Sequence, residues 1–344
     1  MSTLKSGRGP PLGRDFAKLN KPCPYIRPLL QKQDLRKGKK GMSARKRIEN
    51  FDQLLSLVKS KDKKKLAIAS AEGEEIIGAV KQATDEGFID PVLIGDQTKI
   101  EALCHKLSLN LNKVEIIPSK DPKLTSKMAV GLVKQGKADL LMKGKVDTST
   151  LLKAVLDKEE GLRTGGLLSH VAVVEVKNYP KLMLVTDGGM NINPDVKSKV
   201  DILKNAVEVA KKLGIEKPKV SCLAAVELVN PEMPETVDGA VLVKMAERGD
   251  IKDVIIDGPV SFDVAIDSQS ARMKGIISPV AGDTDIFLVP NIATGNILVK
   301  ALIYLAEAKV GGIVVGGGAP IVLLSRSDTA EMKLYSMALG AAIC

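Results

Sequence analysis

Residues 64–96 read KKLAIASAEGEEIIGAVKQATDEGFIDPVLIGD, and the pattern of this segment decides the fold class. Two apolar runs, KKLAIASAE and DPVLIGD, enclose a stretch of helical period over residues 74–87. The first run is apolar at nearly every position of LAIAS, which is typical of a strand buried on both faces. A strand, a helix and a second strand in this order predict a βαβ unit with parallel strands.

The same alternation continues along most of the chain. Further apolar runs predict strands at 113–119, 138–144, 217–225, 253–258, 285–290 and 311–317. Amphipathic segments between them predict helices over 96–109, 123–136, 195–213, 237–249, 262–270, 293–308 and 328–341. The sequence therefore predicts an α/β protein whose sheet is mainly parallel and covered by helices on both faces.

One connection breaks this rhythm. HVAVVEV (170–176) and KLMLVTDGG (181–189) are separated only by KNYP, which predicts a β-hairpin. The total number of elements exceeds one sheet of ordinary width. We therefore predict two doubly wound α/β domains with an interdomain cleft, where a ligand would bind.

The net charge of +10 is concentrated near the N-terminus. Residues 1–41 hold eleven Lys or Arg residues against two Asp residues, so the remainder is nearly neutral. This leader is rich in proline and has the composition of a disordered segment. We favour a non-native extension ahead of Met42 over a functional basic arm, and a transit peptide also stays open. A nucleic-acid binder is the rival class that the overall basicity suggests, but only 3% of residues are aromatic.

The cysteines and histidines show no metal-ligand or catalytic spacing. Cys23, Cys104, Cys222 and Cys344 are scattered without a CxxC pair, which argues against zinc and against a disulfide framework. A reducing, cytoplasmic compartment is the simplest interpretation, and no run of about 18 apolar residues predicts a membrane span. Of the two histidines, we interpret His105 as structural and leave His170, next to Ser169, open.

The most distinctive segment is GGIVVGGGAPIVLLSRSD (311–328). Backbone amides of glycines such as Gly317 and Gly318 approach an anion closely, and arginine adds a forked cationic donor. The segment matches neither the Rossmann fingerprint nor the Walker A loop. Asp328 followed by Glu331 also resembles a capping box, so helix capping is the alternative role for both carboxylates.

Two other helix entrances are candidates for substrate binding. KGKVDTSTLLKAVL (143–156) places Thr148 and Ser149 at a helix N-terminus flanked by lysines, which favours an anion site. An ordinary capped helix with solvated lysines explains the same residues equally well. Asn296 lies at the entrance of the helix predicted over 293–308, with Thr294 as its predicted cap; there Gly295 permits close approach of a ligand or another backbone.

Several long motifs resemble one family in the order in which they occur. DGPVSFDVAI (257–266), SPVAGDTDIFLVPNIATGNILVK (278–300) and GGGAPIVLLSR (316–326) are similar to motifs of the phosphate acetyl/butyryltransferase family. MKGKVDTSTLLKAVL (142–156) and GLRTGGLLSHVAVVE (161–175) are more similar to its butyryl branch. The resemblance covers essentially residues 42–344.

The resemblance implies a fold, an assembly and a reaction. It implies two domains like those of isocitrate and isopropylmalate dehydrogenases, residues 42–163 plus 314–344 and residues 164–313, in a homodimer. It also implies the reversible reaction of butanoyl-CoA with phosphate to give butanoyl phosphate and CoA, without cofactor or metal, next to an acyl (butyrate) kinase in metabolism. Phosphate acetyltransferase activity is one alternative, and an NAD(P)-dependent dehydrogenase on the same fold is another.

The resemblance also assigns roles to individual residues. Ser325 and Arg326 match the serine and arginine that bind and polarise the reactants. Lys153 stands where the family has a second, phosphate-binding arginine, so the charge is kept but the fork is lost. The family's proposed basic aspartate lies seven residues after the serine, where this chain has Met332. We therefore expect a nearby carboxylate to take the thiol proton, Asp328 in preference to Glu331.

Overall fold

A mixed β-sheet is the central feature of the computed structural model, which describes residues 46–323, 325 and 328–344. The strands in these residues are β1 (Lys64–Ala69), β2 (Ile89–Gly95), β3 (Glu115–Pro118), β4 (Leu140–Lys143), β5 (Ser169–Glu175), β6 (Met183–Thr186), β7 (Lys219–Leu223), β8 (Ile255–Val260), β9 (Ile286–Leu288), β10 (Lys309–Val315) and β11 (Ile321–Val322). Their order across the sheet is β3-β2-β1-β4-β11-β10-β5-β6-β9-β7-β8.

Most neighbouring strands run parallel, as the alternating pattern predicts. Strand β1 pairs in parallel with β2 and β4, and β9 lies parallel to both β6 and β7. Three pairs in the middle of the sheet are antiparallel, namely β11–β10, β10–β5 and β5–β6. The last of these pairs is the hairpin predicted from KNYP, which is confirmed.

Helices cover both faces of this sheet. They are α1 (Phe51–Lys59), α2 (Glu74–Asp85), α3 (Gln97–Lys106), α4 (Pro122–Lys134), α5 (Thr148–Val155), α6 (Val196–Lys212), α7 (Pro234–Glu247), α8 (Phe262–Ile266), α9 (Ser268–Met273), α10 (Ile292–Leu305) and α11 (Ala330–Ile343). Within the described ranges, no helix combines the length and the apolar character needed to cross a membrane.

The residues of β1 show why both faces are buried. Leu66 and Ile68 belong to a core that includes residues of α1, α2, α6 and α11. Ala67 and Ala69 point the other way, into a core shared with α4 and α5. Alternate residues of a strand face opposite sides, so an apolar run such as LAIA needs helices on each side. The α/β fold class is confirmed.

Strand order separates two parts of the sequence. Strands from residues 64–143 and 321–322 occupy one side of the sheet, and strands from residues 169–315 occupy the other. The two sides join where Val314 of β10 pairs with Ile321 of β11, and the described residues all belong to one compact unit. The division into domains at residues 163 and 314 stays a prediction.

Some local predictions were wrong or incomplete. The helix predicted over 262–270 consists of two short helices that meet at Asp267, whose carboxylate accepts from Gln269 and Ser270. Neither α1 nor β11 was predicted. The predictions for residues 1–41, Cys23 and the start at Met42 lie outside the described residues.

Candidate active site

The carboxyl ends of β1, β4 and β11 meet at one edge of the sheet, because these strands are adjacent and parallel. Open α/β sheets bind ligands at such an edge. The loops after β1 and β4 are in close contact: a Cβ on Gly144 would lie 2.1 Å from the carbonyl oxygen of Ser70. Ser325 follows β11 at the same edge and is exposed. Two cavities meet at this serine.

The first, cavity A, has a volume of about 370 Å³ and a largely apolar wall. Its lining combines β5, β10, α10 and α11 with Ser325 and Asp328. The apolar side chains are Ala172, Val299, Ile303, Val310, Leu323 and Met332. Cavity A therefore offers a polar end at Ser325 and an apolar body, which suits a short acyl chain with a reactive carbonyl.

The second, cavity B, has a volume of about 560 Å³ and is lined by lysines and glutamates as well as Ser325. Lys143 and Lys333 are only 8% and 4% exposed. The Lys143 ammonium donates to the carbonyls of Gly144 (3.4 Å) and Val146 (3.2 Å), and that of Lys333 donates to the carbonyl of Asp328. Burying an ammonium disfavours its charged form unless hydrogen-bond acceptors surround it. The loop carbonyls provide such acceptors and hold both lysines at the site.

Asp328 fixes the backbone around Ser325. Its carboxylate accepts from the Ser325 backbone N–H at 2.8 Å, and its own N–H donates to the Ser325 carbonyl at 3.2 Å. The N-cap of α11 is Thr329, which accepts from the N–H of Met332, so the predicted Asp328–Glu331 capping box was wrong. Glu331 instead accepts from the Tyr335 hydroxyl at 2.6 Å. Only Asp328 of the two candidate carboxylates lines cavity A.

His170 also lines cavity A, between two glycines. A Cβ on Gly189 would lie 2.9 Å from the ring, and a Cβ on Gly312 would lie 2.8 Å from Nε2. Nδ1 is buried and has no hydrogen-bond partner among the residues that the structure describes. Burial lowers the pKa of His170, and the charges of Asp187 and Asp328 act in the opposite direction.

The loop after β6 supplies Asp187 and the glycine that flanks the histidine. The Asp187 carboxylate accepts from the N–H groups of Gly189 (2.8 Å) and Met190 (2.9 Å) and from the Asn191 side chain (2.6 Å). The neighbouring Gly188 touches α10, because a Cβ on Gly295 would lie 2.7 Å from its Cα. The close backbone approach predicted at Gly295 is confirmed.

The predicted N-cap of α10 was wrong. Thr294 was predicted as the cap, but Asn291 is the N-cap and accepts from the Thr294 N–H at 3.0 Å. This arrangement leaves Asn296 on the second turn of the helix, where it lines cavity A.

Comparison with known proteins identifies the family. The sequence matches the phosphate acetyl/butaryl transferase family over residues 50–129 and 123–341. The chain belongs to this family. The phosphate butyryltransferase of Clostridium acetobutylicum is 46% identical over 86% of this chain and 98% of its own length. The phosphate acetyltransferase of Thermotoga maritima is 42% identical over 85% of this chain and 98% of its own length.

A solved structure of the same family agrees with the fold. A branched-chain phosphotransacylase from Enterococcus faecalis V583 aligns with a TM-score of 0.73 and 35% identity. The alignment covers 81% of this chain and 98% of that one. The resemblance read from the motifs is thus confirmed, and the family match does not favour the dehydrogenase alternative.

The structure brings together some of the residues assigned from the family motifs and helix entrances. Thr148, Asn296, Ser325 and Asp328 line cavity A. Ser149 is exposed on the first turn of α5. Arg326 lies outside the described residues.

Lys153 and the glycines lie elsewhere. Lys153 lines a third cavity of about 370 Å³ with Lys123 and Lys127. The glycine run forms the turn between β10 and β11: Gly316 has φ +94°, and the Gly318 N–H donates to the Leu162 carbonyl at 2.8 Å. A Cβ on Gly317 would lie 3.1 Å from that same carbonyl oxygen. The described contacts of these glycines are with the chain itself.

Sequence reasoning left two elements of the site unassigned. The sequence presented His170 only as an isolated histidine in a strand, and its proximity to Asp187 and Asp328 depends on loops far apart in the chain. Two glycines could have indicated that a bulky side chain lies nearby: Gly189 follows β6, and Gly312 lies within β10. Lys333 could not be recognised from the sequence, because a single lysine in a mainly apolar helix does not indicate a ligand.

Proposed function

We propose that this protein transfers a four-carbon acyl group reversibly between CoA and inorganic phosphate, with the reaction centred at Ser325. Membership of the family and the 46% identity to a phosphate butyryltransferase support the reaction class. The observation that carries the assignment is that Ser325 lines both cavities, one with a largely apolar wall and one that contains the buried lysines Lys143 and Lys333 beside glutamates. A thioester carbonyl and an anionic nucleophile can therefore meet at this serine.

Cavity A holds the acyl chain in this proposal. Its six apolar side chains would remove the methylenes of a butanoyl group from water. Each buried methylene contributes about 0.8 kcal/mol, so butanoyl-CoA gains roughly tenfold or more over acetyl-CoA. Acetyl transfer is the alternative within the family, and it would be favoured only by a smaller pocket.

Cavity B and its neighbours hold phosphate groups. Lys143 and Lys333 lie beside Ser325 and supply positive charge where phosphate approaches the carbonyl. Arg326 would contribute a bidentate donor next to the serine, and Lys153, Ser149, Gly317 and Gly318 remain candidates for further phosphate contacts. The loops after β4 and β11 thus gather the cations at the strand ends.

The chemistry needs positioning and charge stabilisation. Phosphate is already an anionic nucleophile, and a thioester can be attacked without a metal ion. The protein has to hold phosphate against the carbonyl and stabilise the oxyanion that develops in the transition state. Ser325 donates to that oxyanion or to the departing sulfur. We accordingly assign CoA and phosphate as substrates and no cofactor.

The direct test measures phosphate-dependent CoA release from acetyl-, propanoyl-, butanoyl-, 2-methylpropanoyl- and hexanoyl-CoA. We expect the highest kcat/KM with the four-carbon chains, straight or branched, and no release when phosphate is omitted. Preference for acetyl-CoA would favour the acetyltransferase alternative. No release from any acyl-CoA would overturn the transferase function itself.

A homodimer fits the surface of α10. Gly295 is the one buried residue that the structure shows in this 14-residue helix. Ile297 and Tyr304 are each 67% exposed and Leu305 is 85% exposed, although the helix also lines cavity A. A second copy would cover this face. Light scattering should then report a dimer, and an Ile297→Lys, Leu305→Lys double variant should be monomeric; a monomeric wild type would contradict the assembly.

Two expectations concern the cellular setting. Cys104, Cys222 and Cys344 are free thiols, which suits a reducing cytoplasmic compartment. Cell fractionation can check this location.

The acyl phosphate product must be consumed by a reaction that uses its phosphoryl group, and an acyl (butyrate) kinase would catalyse such a reaction. When both enzymes are incubated with acyl-CoA, phosphate and ADP, we expect ATP to form, because the kinase consumes the acyl phosphate. Absence of ATP formation would contradict the pairing.

A further inference from the structure

We propose that His170 moves the proton between the CoA sulfur and phosphate during acyl transfer. This inference rests on the proposed function and names the group that the family motif leaves open at Met332. Four observations carry it: the position of the ring in cavity A, the two glycines that enclose it, its unpartnered Nδ1, and the two carboxylates whose charges act on it.

The ring is held in place by backbone geometry. His170 lies in β5, a strand in the interior of the sheet, and its carbonyl accepts from the Thr186 hydroxyl at 2.9 Å. Gly189 and Gly312 leave room for the imidazole from two sides, since a Cβ at either position would come within 3 Å of a ring atom. A side chain at either glycine would displace the ring, so these positions serve the histidine.

One nitrogen of the His170 ring has no hydrogen-bond partner among the residues that the structure describes. This nitrogen, Nδ1, is buried. A buried polar nitrogen without a partner destabilises the fold unless something else satisfies it. The same ring lines the cavity where Ser325 lies, so a bound reactant is the natural partner.

The surrounding charges suit a base that is neutral at rest. Asp328, before α11, and Lys300, on α10, line the cavity, and the charge of Asp187, after β6, also acts on the ring. Burial lowers the pKa of His170 below its ordinary value of about 6.5, so the ring is neutral at pH 7. The two carboxylates then stabilise the imidazolium that forms during the reaction.

The proton balance is the same in both directions. With acyl phosphate and CoA, neutral His170 takes the S–H proton, the sulfur attacks the carbonyl, the C–S bond forms and the C–O bond to phosphate breaks. The leaving phosphate then takes the proton back from the imidazolium. In reverse, His170 takes the proton of hydrogen phosphate, the C–O bond forms, the C–S bond breaks, and the thiolate recovers the proton. No oxidant, metal or cofactor enters these steps.

Asp328 is less suited to this role. Its carboxylate already accepts the Ser325 N–H, and the turn that it closes would be disturbed by protonation. Met332, at the position where the family has an acid, presents only a thioether to the cavity. The ordinary pKa of an imidazole lies closer to pH 7 than that of a carboxylic acid, and general-base catalysis is most effective when the pKa of the base is close to the working pH.

The test compares His170→Gln with His105→Gln, the matched control on the exposed face of α3. For butanoyl phosphate with CoA, we expect His170→Gln to lower kcat at least a hundredfold with little change in KM, and His105→Gln to stay within twofold. The wild type should lose kcat only at a pH below the ordinary imidazole pKa of about 6.5, because burial lowers the pKa of His170, and this limb should vanish in His170→Gln. Imidazole added to His170→Gly should restore part of the rate.

The outcomes separate the two proposals. Wild-type activity together with a His170→Gln rate within threefold overturns the role of His170 and leaves the transferase function standing. So does a loss of rate in which the acid limb persists and imidazole gives no rescue, since that pattern marks a structural residue. A wild type that releases no CoA from any acyl-CoA overturns both. Thermal unfolding of each variant shows that the comparison is made on folded protein.

Discussion

The backbone N–H of Ser325 donates to the carboxylate of Asp328 at 2.8 Å, and the Asp328 N–H returns a bond of 3.2 Å to the Ser325 carbonyl. This reciprocal pair closes the chain into a turn between β11 and α11. Thr329, the next residue, caps α11, so the helix and the turn are fixed together. Ser325 is thereby held at the point where cavities A and B meet.

The charge and the hydrogen bond of Asp328 can be separated by substitution. Asp328→Asn keeps an oxygen acceptor for the Ser325 N–H, whereas Asp328→Ala removes it. A hydrogen bond to a charged group contributes about 1.5–3 kcal/mol, so we expect Asp328→Ala to lower kcat by roughly ten- to a hundredfold. Asp328→Asn should lose clearly less, as measured by CoA release from butanoyl-CoA and phosphate.

Glu331→Gln is the control for this pair, because Glu331 accepts from Tyr335 and does not line cavity A. It should stay within a few-fold of the wild type. Equal losses of a thousandfold or more in Asp328→Asn and Asp328→Ala would show that the carboxylate itself carries the proton. The positioning role would then be secondary.

The width of cavity A should set the acyl preference. Val299 of α10 lines the cavity, and Val299→Phe adds a ring that shortens it. Overpacking of this kind costs about 1–3 kcal/mol, so kcat/KM for butanoyl-CoA should fall by roughly tenfold or more, while that for acetyl-CoA should change less than threefold. Val241→Phe, the same substitution at an exposed position of α7 away from the cavity, is the matched control. Equal effects on both thioesters would place the acyl chain elsewhere.

Much of the fold could be predicted from the sequence, because the pattern of apolar residues in a long segment indicates whether it is a strand or a helix. The predicted strand at 64–72 contains β1, Lys64–Ala69, and the predicted helix over 195–213 contains α6, Val196–Lys212. Two-residue β11 was missed, since no periodicity exists over Ile321–Val322. Its pairing with β4 and β10 decides where Ser325 lies, and that pairing is set by the rest of the sheet.

The site was harder to predict than the fold. Ser325 and Asp328 are close in sequence, so a motif could join them. His170, Asp187 and Asp328 come from three separate loops and strands, and only the order β10-β5-β6 brings the charges of the two carboxylates close enough to act on the histidine. The prediction of a capping box was wrong for a local reason. Asp328 and Thr329 are both good N-cap residues, but the Asp328 carboxylate accepts from the Ser325 N–H, so Thr329 caps the helix.

Met332 should function as part of the apolar wall. Met332→Leu conserves volume and should leave kcat/KM for butanoyl-CoA within about threefold. Met332→Asp places a second carboxylate in the cavity that Asp328 already lines, so repulsion and desolvation should lower that kcat/KM at least tenfold. Rates for butanoyl- and acetyl-CoA in both variants check this. A higher turnover in Met332→Asp would indicate that the site works better with an acid at this position.

Substitution of two exposed lysines can distinguish a phosphate site next to Ser325 from one next to α5. Lys145 lines cavity B with Ser325, whereas Lys153 lines the third cavity with Lys123 and Lys127. Screened lysine–phosphate attraction at an exposed site contributes about 1 kcal/mol, so Lys145→Ala should raise the KM for phosphate roughly fivefold. Lys153→Ala should raise it less, measured at saturating butanoyl-CoA in low salt. If Lys153→Ala leaves the KM for phosphate unchanged, Lys153 does not contact phosphate. If Lys153→Ala raises this KM more than Lys145→Ala does, the phosphate site lies closer to α5 than to Ser325.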